Sequence, residues 1–258
     1  ELYLFTSRGR VFALKGLSVP EPKSGKGKPI RDLVSLEEGE RIVALKDPGL
    51  RGAAYVFFVT ERGLAKRLPV SELENLTRAG RRVLGLSEGD TIARVRFTGG
   101  DNELLLTTAR GQALRVSENE FRPQGRLAMG VRGIRLGAGD RVVGCDVLHE
   151  GVDILFISEK GVGKRTPYAD FPAHHRGGSG VRAMRLGDRT GEIVGSWGVL
   201  PDDEIVVISN RGRMVRQSTS GIPLLSRIAT GSILVRLDGG DSVSDVSVVV
   251  DTACDVEV

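Results

Sequence analysis

The sequence has 258 residues, of which 40% are hydrophobic and 27% charged, as in an ordinary globular protein of one or two domains. No apolar run approaches the roughly 20 residues that a membrane helix needs, and we expect neither a signal peptide nor a membrane partner. The two cysteines, Cys145 and Cys254, lie far apart without CxxC spacing. This excludes a disulfide framework and a cysteine-based zinc site, and it predicts a cytoplasmic protein.

The charge is unevenly distributed along the chain. The formal net charge is +4, yet six acidic residues and no basic residue follow Arg236, so that residues 1–236 carry +10. A basic body with a short acidic end suggests a polyanionic partner. A general basic tendency of the proteome would explain the same numbers, and charge alone does not separate the two.

A short apolar run that ends in a basic residue and glycine occurs five times. Each run predicts a strand followed by a hairpin turn, because glycine readily adopts the positive φ that such turns require. The five pairs are Arg8-Gly9, Arg62-Gly63, Arg110-Gly111, Lys160-Gly161 and Arg211-Gly212. Their glycines, called the turn glycines below, are 54, 48, 50 and 51 residues apart.

A second glycine keeps the same phase near the middle of each repeat. These mid-repeat glycines are Gly27, Gly80, Gly130, Gly180 and Gly231. Near each repeat's end, a Gly-acid pair precedes a further apolar strand. Each repeat therefore predicts one four-stranded sheet, and no segment shows the period of an amphipathic helix.

Sheets of this size cannot bury both faces alone, so we expect them to pack side by side as the blades of a propeller. The predicted fold is all-β, a propeller-like disc of five four-stranded blades. The prediction treats 1–258 as a single domain. Its repeats span about 1–52, 53–101, 102–151, 152–201 and 202–258.

A basic residue recurs four positions after the turn glycine. It is Arg67, Arg115, Arg165 and Arg216 in the last four repeats, with Lys66 and Lys164 directly before two of them and Lys15 nearby in the first repeat. A charge at equivalent positions of a rotationally repeated fold would form an arc. Arginine pairs with phosphate oxygens in a planar fork, so such an arc would fit a bent phosphate backbone.

The loops around the mid-repeat glycines are also basic. Their cations are Lys23, Lys26, Lys28, Arg31, Arg78, Arg81, Arg82, Arg126, Arg132, Arg135, Arg176, Arg182 and Arg185. Together with the fourth-position cations, they predict a duplex DNA interface. The alternative is a solvated rim that only keeps the protein soluble.

No catalytic constellation is visible in the sequence. There is no GxSxG, Walker loop or HExxH motif, and the adjacent His174 and His175 are more typical of a loop than of a metal site. We therefore expect no catalytic residue, no metal and no cofactor, and a chain that is not an enzyme by itself.

Three runs resemble the C-terminal domain of the DNA gyrase A subunit family: FTSRGRV at 5–11, GVRGIRL at 130–136 and GVGKRT at 161–166. The C-terminal domain of topoisomerase IV A subunits is the nearest rival. The resemblance implies a β-pinwheel, in which blades exchange strands, and a basic perimeter that wraps DNA in the service of supercoiling. It also implies two protein partners, the rest of the A subunit and an ATP-hydrolysing B subunit, and we expect the isolated domain to be monomeric.

Two departures from the family pattern are visible. The family has six blades, whereas five repeats are found here, and the family's first blade carries the box Gln-Arg-Arg-Gly-Gly-Lys-Gly. Its nearest remnant is the loop Arg176-Gly177-Gly178-Ser179-Gly180, called the box-like loop below, in which Ser179 replaces the lysine. Glycines there would let backbone amides approach phosphates, although a plain flexible turn has the same composition.

Two further classes of protein remain as alternatives. A protein-binding propeller of kelch or chromatin-guanine-exchange type repeats at a similar length, but it would carry recurrent Tyr and Trp, of which this chain has three and one. A propeller enzyme would need polar residues converging on its channel. The acidic residues from Asp251 to Val258 form either a free tail or part of a strand that closes the disc.

Overall fold

The computed structural model describes residues 1–21, 27–47 and 52–249. The chain divides into two compact units. Unit 1 joins Glu1–Gly100 to Phe121–Val131, and unit 2 joins Asp101–Glu120 to the chain from Arg132 onward. Lys23, Lys26 and the segment from Asp251 to Val258 lie outside the described residues. The single domain stays a prediction.

Unit 1 contains two antiparallel sheets, except that the last residue of β10, Arg132, is assigned to unit 2. Sheet 1 has the strand order β3 (Ile42–Lys46), β1 (Leu2–Thr6), β2 (Arg10–Leu14), β6 (Arg81–Arg82). Sheet 2 has the order β10 (Val131–Arg132), β5 (Leu64–Pro69), β4 (Tyr55–Thr60), β7 (Ile92–Thr98).

Unit 2 contains three sheets. Sheet 3 has the order β11 (Val142–Leu148), β8 (Glu103–Thr108), β9 (Gln112–Ser117), β14 (Val181–Arg182). Sheet 4 has the order β15 (Ile193–Val199), β12 (Asp153–Ser158), β13 (Val162–Pro167), β18 (Ser232–Ile233). Sheet 5, within the described residues, has three strands in the order β17 (Met214–Ser218), β16 (Glu204–Ser209), β19 (Val243–Val249).

The helices described are single 3-10 turns, as the absence of a helical period predicts. They are Gly16–Ser18, Ile30–Asp32, Val70–Leu73, Glu118–Glu120, Tyr168–Asp170 and Thr219–Gly221. None of the helices in the described ranges is long and apolar enough to cross a membrane.

The fourth strand of each four-stranded sheet comes from the following repeat. The two residues after a mid-repeat glycine pair with the second hairpin strand of the preceding repeat: Val181 of β14 pairs with Ala113 of β9, and Ile233 of β18 pairs with Val162 of β13. This is the strand exchange that the resemblance implied. Composition and period predicted four strands per sheet but not their source.

The turn glycines adopt the conformation that the hairpin motif predicts. Gly161 has φ +75° and Gly212 has φ +79°. A Cβ on Gly161 would overlap the carbonyl oxygen of Val235, in the segment that follows exchanged strand β18, whereas nothing lies within 4 Å of the same point on Gly212. Exchanged strands therefore make the turn position sterically tighter where they are present.

Alternate residues of a central strand face two different cores. In β12, Ile154 and Phe156 belong to one buried cluster, which includes Leu105, and Leu155 and Ile157 belong to another, which includes Trp197. Because both faces of the strand are buried, it reads as a continuous apolar run rather than as an alternating one.

Candidate nucleic-acid interface

The fourth-position cations do not form a surface arc. Arg67 and Arg165 are 7% and 9% exposed. The Arg67 guanidinium lies 4.5 Å from the centre of the Tyr55 ring and donates to the carbonyl of Gly100 at 3.1 Å. Arg165 donates to the carbonyl of Ile222 and to Asp153, each at 3.1 Å. These contacts join each arginine to its own repeat and, for Arg165, also to the next repeat, and they leave little of either side chain for a phosphate.

An acidic residue at the first position of a strand neutralises each of the other two fourth-position arginines. Arg115 forms a two-pronged ion pair with Glu103, and the exposed Arg216 forms one with Glu204. Arg115 also donates to the carbonyl of Phe171 at 3.2 Å. Arg216 thus remains accessible, but its charge is already paired.

The two lysines that precede fourth-position arginines are interior. Lys66 is 1% exposed, and its Nζ donates to the carbonyls of Val83, Arg126 and Ala128 at 2.8, 2.8 and 3.1 Å. The buried Nζ of Lys164 donates to the carbonyl of Ser226 at 2.6 Å. Desolvation lowers the pKa of each ammonium to about 8. We call these two side chains the lysine clamps, because each pins the loop of the next repeat.

The exposed cations lie instead at the exchanged strands. Arg82, Arg132 and Arg182, each two residues after a mid-repeat glycine, end the exchanged strands β6, β10 and β14 and are exposed. Their backbone is fixed by pairing, as between Arg182 and Gln112 of β9. Strand exchange therefore repeats one exposed arginine in the second, third and fourth repeats, whereas β18 ends in the exposed Ile233.

A second arginine stands beside two of these positions in unit 2. The Arg176 guanidinium donates to the carbonyl of Arg132 at 3.5 Å, and Arg227 donates to that of Arg182 at 3.2 Å. Within the described residues, none of these four arginines takes part in an ion pair. We call Arg132, Arg176, Arg182 and Arg227 the arginine ladder.

The box-like loop is held from both ends. The Glu120 carboxylate accepts from the backbone N–H of Arg176 and contacts Nδ1 of His175, each at 2.7 Å. Desolvation acts to raise the pKa of Glu120, but these hydrogen bonds and the nearby positive charges lower it overall. At the other end, Arg135 donates through Nε to the Ser179 hydroxyl at 3.2 Å, and its backbone N–H donates to Gly178 at 2.8 Å.

This geometry brings the exposed Arg135 to the box-like loop. The Gly177 N–H donates to the Gly133 carbonyl at 2.6 Å, and Gly180 has φ +69°, with its Cα against the Ala113 backbone. Arg132 and Arg135 thus lie against the loop that begins with Arg176, and Ser179, in the place of the family lysine, accepts a hydrogen bond from Arg135.

Of the other predicted cations that the structure describes, the exposed Arg185 lies in unit 2 and the rest lie in unit 1. Lys15, Lys28 and Arg31 are exposed, the last in the Ile30–Asp32 turn. Lys15 shares the lining of a shallow cleft with Arg78. Arg126 is exposed but lies 3.2 Å from Glu72.

Two residues of the site were not singled out by sequence reasoning. Arg227 stands four residues before its mid-repeat glycine, as Arg126 and Arg176 do, so the same in-phase comparison would have found it. Glu120 had no such signal, because its role depends on a loop 55 residues further along the chain. Among the described residues, no three His, Cys, Asp or Glu side chains form a cluster suited to a metal ion.

Comparison with known proteins identifies the family. The family described as DNA gyrase C-terminal domain, beta-propeller, matches residues 1–46, 54–98, 102–149, 153–196 and 203–249. The chain belongs to this family. Its fold is the five-bladed all-β propeller, or pinwheel, that the sequence predicted.

Two curated relatives are DNA gyrase A subunits. The chain is 59% identical to that of Aminobacterium colombiense over 96% of the chain and 30% of the relative. It is 36% identical to that of Staphylococcus aureus (strain NCTC 8325 / PS 47) over 97% of the chain and 29% of the relative. The chain thus spans about three-tenths of the length of these relatives.

Two solved structures share the fold. The C-terminal domain of DNA topoisomerase IV aligns with TM-score 0.86 and 25% identity, over 96% of this chain and 78% of that one. The DNA gyrase A C-terminal domain aligns with TM-score 0.84 and 24% identity, over 96% of this chain and 82% of that one.

Proposed function

We propose that this chain binds duplex DNA without strong sequence preference and bends it along its exposed arginines. As part of a gyrase A subunit, it would act beside the remainder of that subunit and an ATPase subunit, in the compartment that holds the chromosome. It would present DNA to a cleavage centre elsewhere and perform no chemistry itself.

The arginine ladder is the observation that supports this proposal. The guanidinium groups of Arg176 and Arg227 are held by backbone carbonyls, and within the described residues none of the four arginines pairs with a carboxylate. Binding a phosphate therefore does not require an ion pair to be broken. Each guanidinium fork can still pair with phosphate oxygens through its remaining N–H groups. Phosphate contacts orient a duplex but carry no sequence information, which is why we expect little sequence preference.

Bending explains why the contacts should be distributed. Bending a short duplex costs several kcal/mol by elastic estimates, and this cost must be offset by contacts along the path. The ladder, together with Arg82, Arg135, Arg185 and the cations of unit 1, offers such a distribution. About six to ten phosphate contacts correspond to a slope of log K against log salt of roughly −5 to −9.

The test is fluorescence anisotropy of a labelled duplex over a salt series. Replacing Arg132, Arg176 and Arg182 by Gln should weaken binding and make the slope less steep by about 2 to 3, since each lost phosphate contact removes roughly 0.9. A matched control replaces the exposed turn arginines Arg62, Arg110 and Arg211 by Gln. Equal loss in both variants, or a wild-type slope near −2, would contradict the proposal.

A further inference from the structure

Two exposed apolar side chains occupy equivalent positions in the loops that carry exposed arginines. Leu127 follows Arg126 and Ile228 follows Arg227, and each lies three residues before its mid-repeat glycine. Their exposures are 76% and 53%. A single exposed leucine is ordinary, but the same feature at the same place in two repeats needs an explanation.

The lysine clamps hold the backbone next to Leu127 and Ile228, which we call the apolar tips. The Lys66 clamp donates to the carbonyls of Arg126 and Ala128, on either side of Leu127. The Lys164 clamp donates to the carbonyl of Ser226, two residues before Ile228. The loop of Leu127 also packs tightly on Gly85, where a Cβ would lie 2.6 Å from the Leu127 carbonyl oxygen. The two apolar side chains therefore lie on loops whose backbone is held in place by hydrogen bonds.

The loop of the fourth repeat has neither a lysine clamp beneath it nor an apolar tip. Gly177 stands at the position of Leu127, and Leu114 of the third repeat stands at the position of Lys66. The loop there is held by Glu120 instead, and it presents glycines and cations. The lysine clamp and the apolar tip thus occur together and are absent together.

We propose that Leu127 and Ile228 insert between base pairs of the bound duplex and kink it, a step that rests on the proposed function. An apolar tip gains nothing from phosphates, but it leaves water when it enters the base stack. DNA-bending proteins use Leu, Ile and Met in this way, partially unstacking a base step to bend the duplex. Two ladder arginines supply the charge complementarity that brings a phosphate backbone to these side chains: Arg227, directly before Ile228, and the exposed Arg132, five residues after Leu127.

The experiment uses the whole chain and a duplex that carries 2-aminopurine at several positions, because 2-aminopurine fluoresces more strongly when unstacked. Wild type should raise the fluorescence on binding, and the double variant Leu127→Ser/Ile228→Ser should lose most of that rise. Its salt slope should stay within about one unit of wild type, since no charge is removed. Energy transfer between dyes at the duplex ends should show a smaller bend.

The matched control is Leu45→Ser/Met214→Ser, which removes two apolar side chains that are 57% and 65% exposed on strands. It should leave the fluorescence rise intact, as should the conservative variant Leu127→Met/Ile228→Leu. Binding by wild type without a fluorescence rise, or a rise that survives in the serine variant, would overturn insertion and leave DNA binding standing. Failure of wild type to bind the duplex would refute the proposed function as well.

Discussion

At the scale of single residues, basic side chains have two opposite roles in this chain. Lys66 is interior and bonded to three carbonyls, whereas Arg132 is exposed and fixed by its backbone. Burying an ammonium is costly unless its hydrogen-bonding capacity is used, and here the three donors of Lys66 meet three acceptors. A cation buried within a repeat therefore has a structural role rather than a binding role.

Replacing Lys66 by Met should lower the free energy of unfolding by on the order of 2 kcal/mol. Methionine fills a similar volume, but it leaves carbonyls in the interior without their donor. Urea denaturation measures the effect. The exposed Lys28→Met serves as the control and should change the unfolding free energy by less than about 0.5 kcal/mol. An equal effect in the two variants would show that the clamp contributes nothing.

The lowered pKa values of the lysine clamps also predict how the free energy of unfolding changes with pH. With a pKa of about 8 in the folded chain, against an ordinary value of 10.5, Lys66 and Lys164 bind fewer protons in the folded than in the unfolded state between these values. The contribution of these two lysines to the free energy of unfolding therefore rises as pH increases from 8 to 10. The rise should be smaller in Lys66→Met.

The position of a residue within the repeat identified the recurrent cations, but it did not show which of them are buried and which are exposed. Arg115 and Arg132 are both arginines at fixed distances from a repeat glycine, and only the structure separates them. A usable signal was present in three repeats, where an acidic residue stands twelve positions before the fourth-position arginine, as Glu103 does before Arg115. Its meaning depends on strand register, which spacing alone does not reveal.

At the scale of elements, exchanged strands were hidden from the sequence for a different reason. They are two residues long, as Val181–Arg182 is, so they carry no periodicity. Hairpins β12–β13 and β16–β17 were predictable because their turn lies between their strands. A strand that pairs with another repeat has no local signal, and only the resemblance implied its destination.

The turn glycines allow a matched test of the exchanged strand. Gly161→Ala and Gly212→Ala both force alanine to positive φ, at about 1–2 kcal/mol. Only Gly161→Ala also places a methyl group against the Val235 carbonyl. It should therefore lower the melting temperature clearly more than Gly212→Ala, as scanning calorimetry can measure. Equal shifts would mean that the close approach of the segment after β18 does not constrain the turn.

At the scale of the whole molecule, exposed arginines recur at equivalent positions in the second, third and fourth repeats. The salt slope of binding should consequently grow with duplex length, because a longer duplex can reach cations of more repeats. Anisotropy with duplexes of about 12, 24 and 40 base pairs tests this. A slope that stays constant from the shortest duplex onward would indicate a single local site.

Strand exchange also affects the expected outcome of cleaving this chain between two repeats. The exposed turn at 149–151 separates two repeats in sequence, but the residues beyond it supply β14, which completes sheet 3 on the near side. Phe156 and Met184, also beyond the turn, share a buried cluster with Leu105, which precedes it. A protease that cleaves this turn would therefore yield two fragments that remain associated. The C-terminal fragment supplies a strand of sheet 3, and both fragments contribute to one buried cluster. In this chain, covalent continuity and structural integrity are partly independent.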